Sequence, residues 1–137
     1  MADRPTFVLD TFALLAYLQD ETGAARVEAL LENAAKGKCR LCISIINLGE
    51  LLYIIERRQG VVKTQDTLAL IRQLPLEILL ADEHAVFTAA HIKATYALSY
   101  ADAFAIAAAV QENAVVVTSD PEFQTVETLV TVEWLKA

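Results

Sequence analysis

Residues 99–120 read SYADAFAIAAAVQENAVVVTSD and carry the clearest structural signal in this 137-residue chain. Ser99 is a favourable N-cap residue, and the alanine-rich run that follows it to about Glu112 predicts a helix. The β-branched run from Ala114 to Val117 then predicts a short buried strand. A helix that leads directly into an apolar strand is one unit of an α/β fold, provided that the same alternation recurs elsewhere in the chain.

Short apolar strands and helices also alternate through the rest of the sequence. Thr22 is the expected N-cap of one helix, and Gly37 and Gly60 are expected to end helices. Because helices of ten or more residues separate the strands, we expect an α/β fold with a mainly parallel sheet covered by helices on both faces. Further strands are predicted at residues 6–9, 39–43, 76–80 and 129–132, and further helices at 11–19, 22–36, 44–59, 62–73 and 82–95.

The composition is that of a packed globular protein, with 55% hydrophobic and 21% charged residues. No linker-like or repetitive segment interrupts the chain, so residues 1–137 are expected to form a single domain. Charged residues or histidines interrupt every apolar stretch before it reaches the roughly 18 residues that a transmembrane helix needs. The N-terminal sequence MADRPTFVLD also lacks the features of a signal peptide. We therefore expect a cytoplasmic protein without a membrane partner.

The two cysteines, Cys39 and Cys42, have the C-x-x-C spacing of redox pairs and of half zinc sites. They fall in a predicted strand, however, where residues three positions apart point to opposite faces. No second Cys pair or His pair in the sequence complements them. We interpret them as two reduced, buried thiols.

The formal net charge of −7 argues against a nucleic-acid partner. Nucleic-acid binders are usually basic, because neutralisation of phosphates supplies much of their affinity. An acidic protein escapes this objection only if its acids are concentrated where cations bind.

Two acids follow predicted strands: Asp10 ends FVLD, and Asp120 ends VVVTSD. In open α/β sheets, ligands bind outside the carboxyl ends of the strands, which makes both residues candidates for a functional site. Each also has a purely structural explanation, since Asp after a strand is a common turn or N-cap residue. Asp120 in particular precedes Pro121 and would cap a short turn.

Two further acids, Glu50 and Asp102, lie in predicted helices that are apolar around most of their circumference. For Glu50 this pattern predicts burial on more than one side, which is costly for a carboxylate unless it is paired or binds a metal. A surface position or an ion pair with Arg57 is the alternative for Glu50. The alternative for Asp102 is a capping box with Ser99, three residues earlier.

Considered together, the four acids indicate a metal site at one edge of the sheet. Two carboxylates about 5 Å apart repel by roughly 3 kcal/mol at an effective dielectric constant near 20, so a bare cluster would be unfavourable. Hard oxygen ligands without a nearby His or Cys favour Mg²⁺ or Mn²⁺. One or two such ions can activate water and hold a phosphodiester, and they make a negative pocket accept phosphate.

With these residues the sequence resembles the PIN-domain family, in particular VapC-like toxin ribonucleases. The segments that carry the resemblance are VLDTFALLAYL, SIINLGELLY, LSYADAFAIAAA and VVVTSDPEF. The resemblance implies a three-layer α/β/α sandwich and a Mg²⁺- or Mn²⁺-dependent endoribonuclease acting on RNA. It assigns metal binding and catalysis to Asp10, Asp102 and Asp120, with Glu50 contributing directly or through water.

The resemblance also implies supporting residues and partners. Thr11, together with Thr118 or Ser119, would orient carboxylates or water by hydrogen bonds. VapC-like proteins usually form homodimers and are inhibited by a small antitoxin protein. The chain departs from the family at Phe12, where a small polar residue is common, and this affects the expected lining of the pocket on the substrate side.

Two alternative functions follow from the same residues. A receiver-type signalling domain also has an acidic Mg²⁺ pocket in an α/β fold. It is disfavoured because the first strand ends in a single acid, Asp10, and no Lys follows VVVTSD. A PIN-like domain without catalysis, serving as a binding or scaffold module, would keep the fold, but retention of all four acids argues against it.

Overall fold

The computed structural model describes residues 4–136 and contains one parallel sheet of five strands. Their order across the sheet is β3-β2-β1-β4-β5, and each neighbouring pair is parallel. The parallel α/β class predicted from the sequence is therefore confirmed. The strands are β1 (Thr6–Leu9), β2 (Arg40–Ser44), β3 (Glu77–Leu79), β4 (Val115–Thr118) and β5 (Val132–Trp134).

Helices cover both faces of the sheet and complete a three-layer α/β/α sandwich. The helices are α1 (Thr11–Leu18), α2 (Ala24–Ala35), α3 (Ile45–Ile71), α4 (Glu83–Thr95) and α5 (Tyr100–Glu112), and a short 3₁₀ helix spans Pro121–Val126. Helices α1, α2 and α3 pack on one face, around a core cluster that includes Leu9 and Val117. Helices α4 and α5 and the 3₁₀ helix pack on the other face, around a cluster that includes Val8 and Val116.

Adjacent strand residues enter opposite cores because side chains alternate along a β-strand. In β1, Val8 belongs to one cluster and Leu9 to the other, and both are fully buried. Helix α5 is buried from Asp102 to Ala109, mostly through alanines. The small side chains allow this helix to lie close against the sheet and against α4, which explains why its sequence is apolar all round.

The predicted cap of α2 and the predicted start of the last strand are wrong, whereas the other predicted starts and ends agree with the structure within two residues. Thr22 does not cap α2, whose N-cap is Gly23 at a φ of 94°, a backbone conformation that glycine adopts at little cost. The last strand begins at Val132 rather than at residue 129. The backbone N–H groups of Leu129 and Val130 both donate to the carbonyl of Val126, so this segment continues a turn instead of joining the sheet.

Helix α3 is interrupted at Gly60, as predicted. This glycine has a φ of 88° and a ψ of 172°, outside the helical region, and the chain resumes helical geometry on its far side up to Ile71. Its N-terminus is capped by Ser44, whose hydroxyl oxygen accepts the N–H of Ile46 at 3.2 Å.

Within residues 4–136, no helix combines the length and the apolar character that are needed to cross a bilayer.

Strands β1 and β4 are neighbours in the sheet although about a hundred residues separate them in the sequence. From β1 the chain passes through α1 and α2 to β2 on one side, whereas β4 joins β1 on the other side. The strand order therefore reverses between β1 and β4. In open α/β sheets this reversal opens a crevice at the carboxyl ends of the strands, where ligands bind.

Candidate active site

Asp10 lies at this reversal point, directly after β1, and is fully buried. One carboxylate oxygen, Oδ1, accepts the backbone N–H of Ala13 at 2.8 Å, so Asp10 is the N-cap of α1. The other, Oδ2, accepts the hydroxyl of Thr118 at 2.5 Å. The carboxylate is thus held between the start of α1 and the end of β4.

Asp120 follows β4 and is tied to the same threonine. Its backbone N–H donates to the hydroxyl oxygen of Thr118 at 3.0 Å, and its own Oδ1 accepts the N–H of Glu122 at 2.9 Å. Asp120 therefore caps the 3₁₀ helix, as the structural explanation of this residue predicted. Capping uses one carboxylate oxygen only, and the side chain remains half-buried at the mouth of the crevice.

Asp102 lies in the first turn of α5 and is only 4% exposed. Ser99 caps this helix, as predicted, by accepting the backbone N–H of Asp102 at 3.1 Å. An acid in the first turn also suits the helix dipole. Local structure therefore explains an acid at this position, but not why it is buried beside other acids.

Glu50 is half-buried on α3, so the prediction that it is buried on more than one side is wrong. The cause is that this face of α3 reaches the surface: Tyr53, one turn further along, is 49% exposed. The Glu50 carboxylate is nevertheless oriented from inside the protein. Its Oε1 lies 2.5 Å from the hydroxyl of Thr11, the fully buried first residue of α1.

Asn47 is a residue of the site that the sequence did not single out. It is fully buried one turn before Glu50, and its side-chain amide donates to the hydroxyl of Thr11 at 3.2 Å and to the carbonyl of Ala101 at 3.0 Å. It thereby connects α1, α3 and the start of α5. Its Oδ1 is buried without a hydrogen-bond partner among the residues that the structure describes. The sequence does place this amide among apolar residues of a predicted helix. Because buried polar groups normally have a specific hydrogen-bond partner, that position could have indicated its role.

The four predicted acids share one electrostatic environment. The pKa of Asp10 is raised to about 6, mainly by burial and also by the charges of Asp120 and Glu50, against the hydrogen bonds from Thr118 and the Ala13 N–H. The pKa of Asp102 is likewise raised to about 7, mainly by burial and also by the charges of Asp10, Asp120 and Glu50, against the hydrogen bond with Ser99. Both carboxyl groups thus resist ionisation in the absence of a cation.

Glu122 is the second residue that sequence reasoning missed. Carboxylate oxygens of Asp102, Asp120 and Glu122 all lie within 4.8 Å of one another, close enough to hold one ion. Asp10 and Glu50 lie outside this three-residue group, although their charges act on Asp102. The sequence shows that this acid lies two positions after Asp120. It does not show that the 3₁₀ helix brings Glu122 close to Asp102 on α5.

The donor chemistry of this group fits Mg²⁺ or Mn²⁺. All three side chains offer carboxylate oxygens, and burial around Asp102 penalises its negative charge unless a cation offsets it. Of the residues expected to assist, Thr11 and Thr118 hold Glu50 and Asp10, respectively. Ser119 is exposed and lines an adjacent cavity instead.

The cysteines do not form an alternative metal or redox site. Both are free and buried, and the Cys39 thiol donates to the carbonyl of Leu30 at 3.6 Å. Burial raises the pKa of Cys39, and it raises the pKa of Cys42 to about 12, so both thiols stay protonated near neutral pH. The interpretation of two reduced, buried thiols agrees with these positions.

Comparison with solved structures finds the same fold in bacterial toxin–antitoxin complexes. A chain of the DNA-bound VapBC complex from Salmonella typhimurium has 24% identity and a TM-score of 0.73, over 94% of this chain and 97% of that one. A chain of VapBC2 from Rickettsia felis bound to a promoter DNA fragment has 20% identity and a TM-score of 0.73, over 96% of this chain and 99% of that one. A chain of a toxin–antitoxin complex from Klebsiella pneumoniae has 15% identity and a TM-score of 0.67, over 92% of this chain and 94% of that one.

Sequence comparison identifies the family. A search of curated protein sequences finds no significant relative. The family model of the PIN domain, however, matches residues 7–129 and so includes all four predicted acids and Glu122. Since this match spans most of the sequence and the fold agrees with it, the chain belongs to the PIN-domain family.

Proposed function

We propose that this PIN domain is a Mg²⁺- or Mn²⁺-dependent endoribonuclease and the toxin of a toxin–antitoxin pair. The observation that carries the proposal is the convergence of buried Asp10 and Asp102 with Glu50 and Asp120 at the reversal point of the sheet. The raised pKa values of Asp10 and Asp102 indicate a site that is electrostatically unfavourable on its own. Perturbed carboxyl groups clustered in a crevice are typical of functional sites.

Asp102, Asp120 and Glu122 would hold the cation, with Asp10 and Glu50 contributing directly or through water. When bound, the cation would offset the carboxylate charge, attract a phosphodiester and make a water molecule more acidic. This local positive charge answers the objection raised by the net charge of −7.

The residues of the chain itself would orient the acids. Thr118 and the Ala13 N–H occupy one lone pair on each Asp10 oxygen, which fixes the plane of that carboxylate. Thr11 fixes Glu50, and Asn47 keeps the starts of α1 and α5 at a constant separation.

RNA as the substrate and an antitoxin as the partner are proposed from the resemblance to VapC-like ribonucleases. The similar folds found in VapBC complexes support the partner proposal. A partner is also supported by large apolar side chains that are exposed in the single chain, among them Leu80 at 73% and Phe87 at 62%. We further propose a cytoplasmic homodimer in which residues 1–137 form one domain.

A cleavage assay tests the enzyme proposal. Purified protein should cleave single-stranded RNA with Mg²⁺ or Mn²⁺ and not with EDTA. Asp10→Asn and Asp102→Asn should each lower the rate by about 100-fold or more while leaving the circular dichroism spectrum unchanged. Asp66→Asn, on an exposed part of α3, is the matched control and should cleave normally.

The alternative of a catalytically silent binding module gives a different result in the same assay. The wild-type protein would then be stabilised by divalent cations but would cleave no RNA from a total cellular pool. Contaminating nuclease activity is recognised because it would persist in both Asn variants.

A further inference from the structure

A cavity of about 480 Å³ lies beside the acidic cluster, between α1, the loop that follows α1 and the segment after β4. Asp120 lines both this cavity and the group of potential cation ligands. Its apolar lining comes mainly from Phe12, Leu15 and Pro121. The volume falls within the range of roughly 300–1,000 Å³ that is usual for small-molecule sites.

We propose that this cavity binds one unpaired nucleobase of the RNA strand, guanine in preference to uracil, next to the scissile phosphate. This inference rests on the proposed ribonuclease function. Because Asp120 is shared, a base in the cavity would place its own or the adjoining phosphate at the acidic cluster.

Phe12 supplies the stacking surface. It is 41% exposed although the residues on either side of it, Thr11 and Ala13, are fully buried. An aromatic ring that faces an open cavity at the edge of the acidic cluster is available to stack on a base. Single-stranded bases are commonly bound in this way, at about 1–3 kcal/mol per base.

The polar lining determines which base fits. Glu21, Thr22 and Ser119 are exposed and line the cavity. An ionised Glu21 only accepts hydrogen bonds, and guanine offers two adjacent donors, N1–H and the N2 amino group. Uracil offers one N–H between two carbonyl oxygens, which the carboxylate would repel.

The same polar lining favours a base over an apolar protein side chain. An aliphatic side chain would cover Phe12 and Pro121 but would leave Glu21, Thr22 and Ser119 without partners while displacing their water. Leaving desolvated polar groups unpaired is unfavourable. A base offers both a stacking face and hydrogen-bonding edges to this cavity.

Cleavage of a randomised single-stranded RNA pool, with the new ends sequenced, tests the proposal. Wild-type protein should enrich guanine at one fixed position from the cut. Phe12→Ala should lower kcat/KM by roughly 5- to 150-fold, mainly through KM, as expected for a lost stacking contact. Glu21→Gln should reduce the preference of guanine over uracil. Phe87→Ala and Glu28→Gln, at exposed sites outside this cavity, are the matched controls.

A binding measurement separates failure of this inference from failure of the enzyme proposal. With Mg²⁺ present, guanosine monophosphate should shift the backbone NMR signals of residues 12, 21 and 119 more than uridine monophosphate does. If that binding requires Phe12 but no RNA is cleaved, the nucleobase cavity stands and the ribonuclease proposal fails. If RNA is cleaved and Phe12→Ala and Glu21→Gln change neither base preference nor KM, the cavity proposal is overturned, and a protein segment becomes the better occupant.

Discussion

The hydroxyl of Thr118 lies 2.5 Å from Oδ2 of Asp10 and donates to it, while its oxygen accepts the backbone N–H of Asp120. One side chain at the end of β4 thus orients two acids that belong to different parts of the chain. Thr118→Val keeps the shape and removes the hydroxyl. We expect the pKa of Asp10 to rise above about 6 and the free energy of unfolding at neutral pH to fall by about 1–3 kcal/mol.

Urea denaturation and carboxyl NMR titration measure these two quantities. Thr118→Ser is the matched control, because it retains the hydroxyl and should retain most of the stability. A loss in the Ser variant with none in the Val variant would mean that packing of the threonine methyl group matters, rather than the hydrogen bond.

The stability of the cation-free protein should depend on pH. Since the pKa of Asp10 and of Asp102 is higher in the folded state than the ordinary value of 3.8, the folded state binds protons more tightly than the unfolded chain. Stability should therefore be greatest when both groups are protonated, near pH 4, and fall as the pH rises through about 6 and 7. At about 1.4 kcal/mol per pKa unit, Asp10 alone accounts for about 3 kcal/mol of this loss.

Urea unfolding in EDTA between about pH 4 and pH 8 measures the slope, and the Asp10→Asn variant isolates the contribution of Asp10. Adding Mg²⁺ should flatten the wild-type profile at the alkaline end, because the cation replaces the protons. A wild-type profile that rises with pH and matches that of the variant would contradict this account.

Asp102→Asn should make the cation-free protein more stable while removing its response to cations. The amide has nearly the shape of the carboxylate but carries no charge, so at about pH 8 the variant should gain about 1–4 kcal/mol. Thermal unfolding with and without Mn²⁺ measures both effects. Asp66→Asn should change neither, and a destabilised Asp102→Asn protein would argue that the charge of Asp102 serves the fold.

Asn47→Ala should destabilise the protein and weaken cation binding, because Asn47 connects the helices that carry the acidic residues. The variant loses the hydrogen bonds to Thr11 and to the Ala101 carbonyl, and we expect about 2–4 kcal/mol of destabilisation and a 10- to 100-fold weaker affinity for Mn²⁺. Calorimetric titration measures the affinity. Gln65→Ala, at an exposed position of the same helix, should behave as wild type. Unchanged Mn²⁺ affinity in folded Asn47→Ala would restrict Asn47 to a purely structural role.

The prediction from sequence worked best where the signal was local. The strand at Thr6–Leu9, the Ser99 cap and the interruption at Gly60 depend on neighbouring residues, and the structure has all three. The last strand was misplaced because the apolar residues Leu129 and Val130 continue a turn that is set by hydrogen bonds to Val126. Periodicity alone does not distinguish these two cases.

In the candidate site, too, local features could be predicted from the sequence and long-range contacts could not. Acids at strand ends could be predicted to meet, because parallel strands end at one edge of a sheet. Asn47 and Glu122 could not be predicted, since their roles depend on which elements approach one another in three dimensions. The half-exposure of Glu50 was missed for a related reason. An apolar helix face indicates that another element can pack on it, but the sequence does not show whether one does.

We expect the acidic cluster to bind a divalent cation through Asp102. The most direct test is titration of Mn²⁺ into the wild-type protein and into Asp102→Asn, followed by electron paramagnetic resonance of free Mn²⁺. Mn²⁺ should bind saturably to the wild type and at least about tenfold more weakly to the variant. Equal binding to both proteins, or none to the wild type, would contradict it.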